Sequence, residues 1–258
     1  MKHAAWILAA CALAAASPAA SVLGAQSLGN RIDVVRDGMV QIAFATRPGI
    51  CGDGHGGTWM SRRADVSSNG GRYTCIAGPA RVSIGKADGR VASVRSCVAC
   101  RPRASSNADV DLGTVDAAEA ARYLIGVAPA LGGTSAGEAI SAASFADGVD
   151  LSPELAHLVR DVGATTAARK DALFWLGQNE GETTNDLIGL YASLDAEALR
   201  EHFTFVLSQR EDDAPALDKL IDIAQHDADF KVRKQAMFWL GQSKDPKAIK
   251  FFQTILMR

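Results

Sequence analysis

Cys97-Val98-Ala99-Cys100 places two thiols three residues apart, the spacing of a thiol–disulfide exchange pair. Such a pair acts through a thiolate, which needs a helix N-terminus or nearby cations to lower its pKa. Arg95, Arg101 and Arg103 supply cations, but the flanking residues predict a strand end and a turn. Cys51, His55, Cys97 and Cys100 form a second candidate, a zinc set, which needs reduced thiolates. Gly133-Thr134-Ser135-Ala136-Gly137 has the pattern of a sharp turn that exposes a nucleophilic serine, and that turn needs a strand before it. A helix is expected there instead, and Ser135 with Glu138 three residues on predicts a capping box. His157, His202 and His226 share no spacing. We therefore expect no catalytic residue, no metal and no cofactor.

The elements that carry these residues begin after an address. Lys2 and His3 precede an apolar run from Ala4 to Ala16, followed by small-residue cleavage sites at Ser17-Pro18-Ala19 and Leu23-Gly24-Ala25. Residues 1–25 are read as a secretory signal, too short for a permanent membrane span. Leu8-Ala9-Ala10-Cys11 has the look of a lipoprotein box, but the short apolar stretch before Cys11 argues against anchoring. The expected location is periplasmic or secreted. Export leaves Cys51, Cys75, Cys97 and Cys100, an even number in an oxidising compartment. Three pairings are open; Cys51 with Cys75 and Cys97 with Cys100 is the preferred one.

The remaining chain divides by composition. The 258 residues are 48% hydrophobic and 22% charged, enough apolar material for a true core. Residues 26–103 hold twelve basic and five acidic side chains, whereas residues 104–258 hold 14 basic and 24 acidic ones. The basic part predicts short strands: Arg31–Val35 with Met39–Ala45 around Asp37-Gly38, and Arg81–Lys86 with Arg90–Arg95 around Asp88-Gly89. Arg47 to Asn69 is expected to be a long loop held by Cys51. Its arginines are dispersed without aromatic interleaving, which argues against nucleic acid and against a membrane-surface role. Residues 104–115 are read as a linker.

The acidic part repeats itself. Arg169-Lys170-Asp171-Ala172-Leu173-Phe174-Trp175-Leu176-Gly177-Gln178 recurs as Arg233-Lys234-Gln235-Ala236-Met237-Phe238-Trp239-Leu240-Gly241-Gln242, with a weaker copy at Arg200–Gln209. The aligned arginines lie 31 and 33 residues apart, the length of a two-helix unit. Leu187, Leu190, Tyr191 and Leu194 match Leu217, Leu220, Ile221 and Ala224, and then Ala248, Phe251, Phe252 and Ile255, each set on one helical face. A fainter unit fits Gly137–Asp147 with Pro153–Val162, and Asp116–Leu131 predicts one more helix before it.

Asp229-Phe230-Lys231-Val232-Arg233-Lys234-Gln235-Ala236 followed by Leu240-Gly241 resembles the first helix of a HEAT repeat, in particular the short HEAT-like repeats named after the bacterial phycobilisome lyases. The resemblance covers about residues 136–257, and Phe203 and Ser208 depart from it in the middle copy. It implies an α-solenoid whose work is to hold protein partners. The expected fold is thus α+β by domains: a small disulfide-stapled β domain (26–103) followed by an all-α HEAT-like solenoid (116–258). The expected function is a non-catalytic scaffold binding an unidentified protein partner in the cell envelope, with thiol–disulfide exchange at Cys97 and Cys100 as the rival. Arg169, Arg200 and Arg233, Trp175 and Trp239, and Gln178, Gln209 and Gln242 occupy equivalent positions, so they are the candidate partner contacts. Their competing role is internal: a polar ladder between units and aromatic core packing.

Overall fold

Leu28 and Ile32 lie one helical turn apart, and both are buried. In the computed structural model, which describes residues 26–54, 56–60, 65–68, 71–101, 109–179, 183–210 and 213–257, they anchor a short helix, α1 (Leu28–Asp33). Ser27 caps it by accepting the Asn30 N–H. The strand expected over Arg31–Val35 is therefore corrected to the end of a helix and its exit. Its β-branched residues favoured a strand locally, but burial of the Leu28/Ile32 face decided the matter. The hairpin turn expected at Asp37-Gly38 falls with it: Asp37 instead accepts the Asp88 N–H at 2.9 Å. The expected signal, residues 1–25, lies outside the described residues.

The main sheet has four strands in the order β7-β6-β1-β8. Its centre is β1 (Gly38–Phe44), which buries Val40, Ile42 and Phe44 on alternate positions and pairs antiparallel with β6 (Ala80–Ala87). β6 turns directly into β7 (Arg90–Val98), and the turn residues Asp88 and Gly89 both have positive φ (51° and 75°). That is the conformation a two-residue hairpin matched to strand twist requires, and Asp-Gly tolerates it. This hairpin agrees with the sequence expectation.

Of the expected linker 104–115, residues 104–108 lie outside the described residues, and the rest is corrected. Val110–Thr114 form β8, which pairs parallel with β1 and closes the other side of the sheet. The strand is mostly exposed and carries Asp111 and Gly113, so nothing local announces it. The expected loop after Arg47 likewise contains a small hairpin, β2 (Ile50–Gly52) with β3 (Thr58–Met60), and a second one, β4 (Asp65–Ser68) with β5 (Gly71–Thr74). Cys51 of β2 is paired with Cys75, and Cys97 of β7 with Cys100. Two disulfide pairs point to an oxidising, extracellular compartment.

Helices make up the rest. They are α2 (Ala117–Val127), α3 (Thr134–Ser144), α4 (Ser152–Arg160), α5 (Thr166–Gly177), α6 (Thr184–Gly189), α7 (Glu197–Ser208), α8 (Ala214–His226), α9 (Phe230–Gln242) and α10 (Pro246–Leu256). Side chains cap several: Asp116, Thr165, Thr183, Asp213, Asp229 and Asp245 each accept an orphan N–H of the first turn. Helices α3, α5, α7 and α9 form a row, each packed on the next. Along the other side α4 lies against α5, α8 against α7 and α9, and α6 and α10 against α8. No helix among the described residues is long and apolar enough to cross a membrane.

Sheet and helices share one buried apolar cluster, from Leu28 through Phe44, Val94 and Ile140 to Phe251. The join is polar as well. Glu138 of α3 accepts from both the N–H and the hydroxyl of Ser96 on β7, at 3.0 and 2.6 Å. The expected capping box at Ser135 and Glu138 is thereby corrected: the N-cap is Gly133, which has no side chain to cap with, and the sheet takes the Glu138 carboxylate. A 3-10 turn (Ala128–Ala130) precedes α3, so the serine turn lacks the strand it would need.

Candidate functional site

The repeated arginines occupy the first turn of α5, α7 and α9, just after the preceding helix has ended. The last carbonyls of any helix lack intrahelical partners, and here guanidinium groups supply them. Arg169 Nε donates to Val159 O at 2.8 Å; Arg200 Nη1 donates to Leu194 O at 3.3 Å; Arg233 Nη1 donates to Asp227 O at 2.6 Å. Two of the three also reach forward. Arg169 Nη2 donates to Asp195 at 2.7 Å, and Arg200 Nε to Asp227 at 3.2 Å. Arg169 holds the Asp195 carboxyl below the usual carboxylate range, chiefly through that hydrogen bond. Tyr191 also donates to Asp227, and burial pushes its phenol well up. These arginines are engaged in joining one unit to the next.

Trp175 and Trp239 fill the same repeat position in different surroundings. Trp175 is 8% exposed and packs edge-on against Phe145 and Phe174, and its indole N–H donates to Ser141 Oγ at 3.1 Å. Arg47 lies over its ring, 6.0 Å from the centroid. Trp239 touches Phe205 and Phe238 at 5.3 and 4.9 Å, but its Nε1 is buried without a hydrogen-bond partner among the described residues. The repeat explains the difference. Thirty-one-residue steps carry Ser141 to Ala172 and then to Phe203, so α7, which packs on α9, has a phenylalanine without an acceptor at the position where α3, which packs on α5, has the Ser141 hydroxyl.

The wall containing Trp239 borders a cleft of about 520 Å³ between the α7–α8 and α9–α10 connections. Leu207, Leu217 and Leu220 give it an apolar floor, and Gln209 and Gln242 stand exposed at its rim. The preceding junction carries a polar bridge instead. There Thr184 at the start of α6 donates to Asp213, and Arg210 Nη1 donates to Thr184 Oγ1 at 3.0 Å. One unit later the counterparts of Thr184 and Arg210 are Ala214 and Ser243, which cannot repeat either contact. The cleft lies at the junction that lacks this bridge. Its volume falls within the range of ligand-sized pockets.

The structure thus gathers Gln209, Trp239 and Gln242 of the eight candidate contacts around one cavity. Arg169, Arg200 and Arg233 serve the unit joints, Trp175 the core, and half-buried Gln178 lies beside Asn179, which bonds Asp150 and Ser152 instead. Sequence reasoning passed over the floor leucines and the Arg210–Thr184 bridge. Setting Thr184 against Ala214 in the repeat register would have exposed the gap.

Cys97 lies near the end of strand β7, and among the described residues the chain starts no helix next to the pair. Among the described residues no three His, Cys, Asp or Glu side chains gather as a metal site, and His55 lies outside those residues. His202 is half-buried on α7; burial, and then the charge of Lys170, push its imidazole below its ordinary pKa. Comparison of the chain with known proteins returned no matching family model, no similar curated protein and no similar solved structure.

Proposed function

We propose that the chain is an exported, non-catalytic scaffold of the bacterial cell envelope, built as a HEAT-like α-solenoid on a disulfide-stapled β domain. It holds a segment of a protein partner in the cleft between the α7–α8 and α9–α10 connections. The observation that carries this reading is the Trp239 indole N–H, unpartnered among the described residues, beside a cavity at a joint where the Thr184 and Arg210 side chains of the preceding joint are replaced by Ala214 and Ser243. A buried donor left unpaired costs about 1–3 kcal/mol, and a carbonyl of a bound peptide would recover it. The apolar floor and amide rim suit a peptide strand, which offers both backbone polar groups and apolar side chains. Repeated helical pairs supply extended binding surfaces of this kind. Thiol–disulfide exchange at Cys97 and Cys100 is the weaker reading because Cys97 lies in a strand, and among the described residues the chain starts no helix next to the pair.

A photo-crosslinking side chain placed at Gln242 in the full exported chain tests the reading. One partner should be captured at that position and not at an equivalent probe at Gln178, and Gln209→Ala with Trp239→Ala should abolish the capture. Equal capture at both positions, or capture that survives the double substitution, would overturn it. Thiol titration with mild reductant addresses the rival: a readily reduced Cys97–Cys100 pair with an acidic thiol would favour exchange chemistry.

A further inference from the structure

The two disulfides close loops of different size. Cys51–Cys75 joins residues 24 apart, and Cys51 is fully buried. Cys97–Cys100 joins residues three apart at the end of β7, and both of its cysteines are partly exposed. Between them Ala99 takes φ +54°, a left-handed conformation that is unfavourable for a residue with a Cβ. Asp88, the other non-glycine residue with positive φ among those described, is of a type that tolerates it; alanine is not. The turn is pressed into its surroundings. A Cβ on Gly78 would lie 2.9 Å from that of Ala99, and one on Gly52 of β2 would lie 1.9 Å from Val98 O. The Ala99 N–H donates to Pro79 O at 3.2 Å, Arg81 Nε to Cys100 O at 3.0 Å, and the Val98 N–H to Thr58 Oγ1 of β3 at 3.1 Å. A backbone turn in an unfavourable conformation thus adjoins the contact between the β2–β3 hairpin and the main sheet.

We infer that Cys97–Cys100 is a redox-sensitive clasp, opened by a small dithiol, that holds the Ala99 turn in place and with it the docked β2–β3 hairpin. In the opening step a thiolate of the dithiol bonds to one sulfur of the pair, and the other sulfur leaves as a thiolate. The second thiol of the reductant then closes on its own mixed disulfide and releases the remaining cysteine. The reductant ends as a cyclic disulfide, two electrons poorer, and its two thiol protons end on Cys97 and Cys100. Freed of the bond, Ala99 can leave the left-handed region, which draws Val98 O away from Gly52 and Cys100 O away from Arg81. Three features open this pair before the other: access, relief of the Ala99 conformation, and a loop so short that closing it constrains the unfolded chain little. Cys51–Cys75 stays closed, so the hairpin undocks without leaving the domain. Exchange with other proteins calls for an acidic thiolate, whereas a clasp that acts on its own chain needs access alone.

Titration of the full chain with dithiothreitol, read by thiol alkylation and by amide hydrogen exchange, tests the clasp. Cys97–Cys100 should open at an about tenfold lower ratio of reduced to oxidised dithiol than Cys51–Cys75. With that pair alone open, exchange should rise about tenfold in segments 50–60 and 97–101 and stay unchanged in α9. Cys97→Ser with Cys100→Ser should show the same rise without reductant. Ala99→Gly, which adopts the left-handed conformation freely, should make the pair about fivefold harder to open. Opening of both pairs together, unchanged exchange in 50–60 once Cys97–Cys100 is open, or an Ala99→Gly chain that opens as readily as the wild type would each overturn the inference. So would rapid turnover of a second protein's disulfide by Cys97, which would assign the pair to exchange chemistry.

Discussion

The joint between the α5 and α7 units and the joint between the α7 and α9 units use one sequence pattern to different ends. At the first, Gly177 admits Val206 and Thr184 bridges Arg210 to Asp213. One joint earlier, Trp175 of α5 gives its N–H to Ser141 of α3. At the second, Phe203, Ala214 and Ser243 stand where those polar partners would be, and a cavity lies beside an indole N–H without a partner. A few substitutions in register therefore separate a closed joint from an open one while leaving the helices in place. Repetition sets the frame, and departures from repetition locate the cavity.

The sharpest way to break this comparison is through the glycines. Gly177→Ala forces a methyl group into Val206 and should cost about 1–3 kcal/mol, seen as a lower urea midpoint. Gly241→Ala faces open space and should stabilise α9 by roughly 0.5–1 kcal/mol through helix propensity. Equal effects would mean that the two positions are not differently packed. The tryptophans come next. Trp175→Phe strands the Ser141 hydroxyl and should cost about 1–2 kcal/mol, whereas Trp239→Phe relieves an unpaired buried donor while giving up packing on Phe205 and Phe238, so its net effect should be close to neutral.

Restoring the seal sharpens the contrast from the other side. Ala214→Thr with Ser243→Arg should rebuild the bridge, raise stability by about 0.5–1.5 kcal/mol, and remove partner capture at residue 242. The smallest effect is the pH dependence of His202. Its folded pKa lies below the unfolded value, so the fold binds fewer protons than the unfolded chain as pH falls through about 6.5. Stability is therefore lost on acidification toward the lower folded pKa, and His202→Gln should flatten that loss in urea midpoints measured on either side of pH 6.5.

Much of the helical part was legible because its signals are local and recur. The Phe-Trp-Leu-Gly-Gln segments end α5 and α9, and Asp213, Asp245 and Asp116 cap helices where the apolar stripe begins. The Asp88-Gly89 hairpin was legible for the same reason, since the turn chemistry lies between its own strands. Leu28 and Ile32 were masked by β-branched neighbours, and their shared burial was visible only in three dimensions. Strand β8 was hidden more deeply, because its pairing with β1 joins Val40 to Val110 across seventy residues. The cleft was illegible for another reason: it depends on contacts that Ala214 and Ser243 fail to make, and an omission has meaning only against an aligned repeat.

The Glu138 bond to Ser96 gives the helical array an orientation. Its first row helix is moored to a sheet whose strands are paired over long sequence distances, while α9 at the far end leans on helices alone. Transient opening should start at the tail and rarely reach the moored end. The cavity at the α7–α9 joint therefore sits in the half of the molecule most free to breathe, and the peptide proposed for it would enter without disturbing the base.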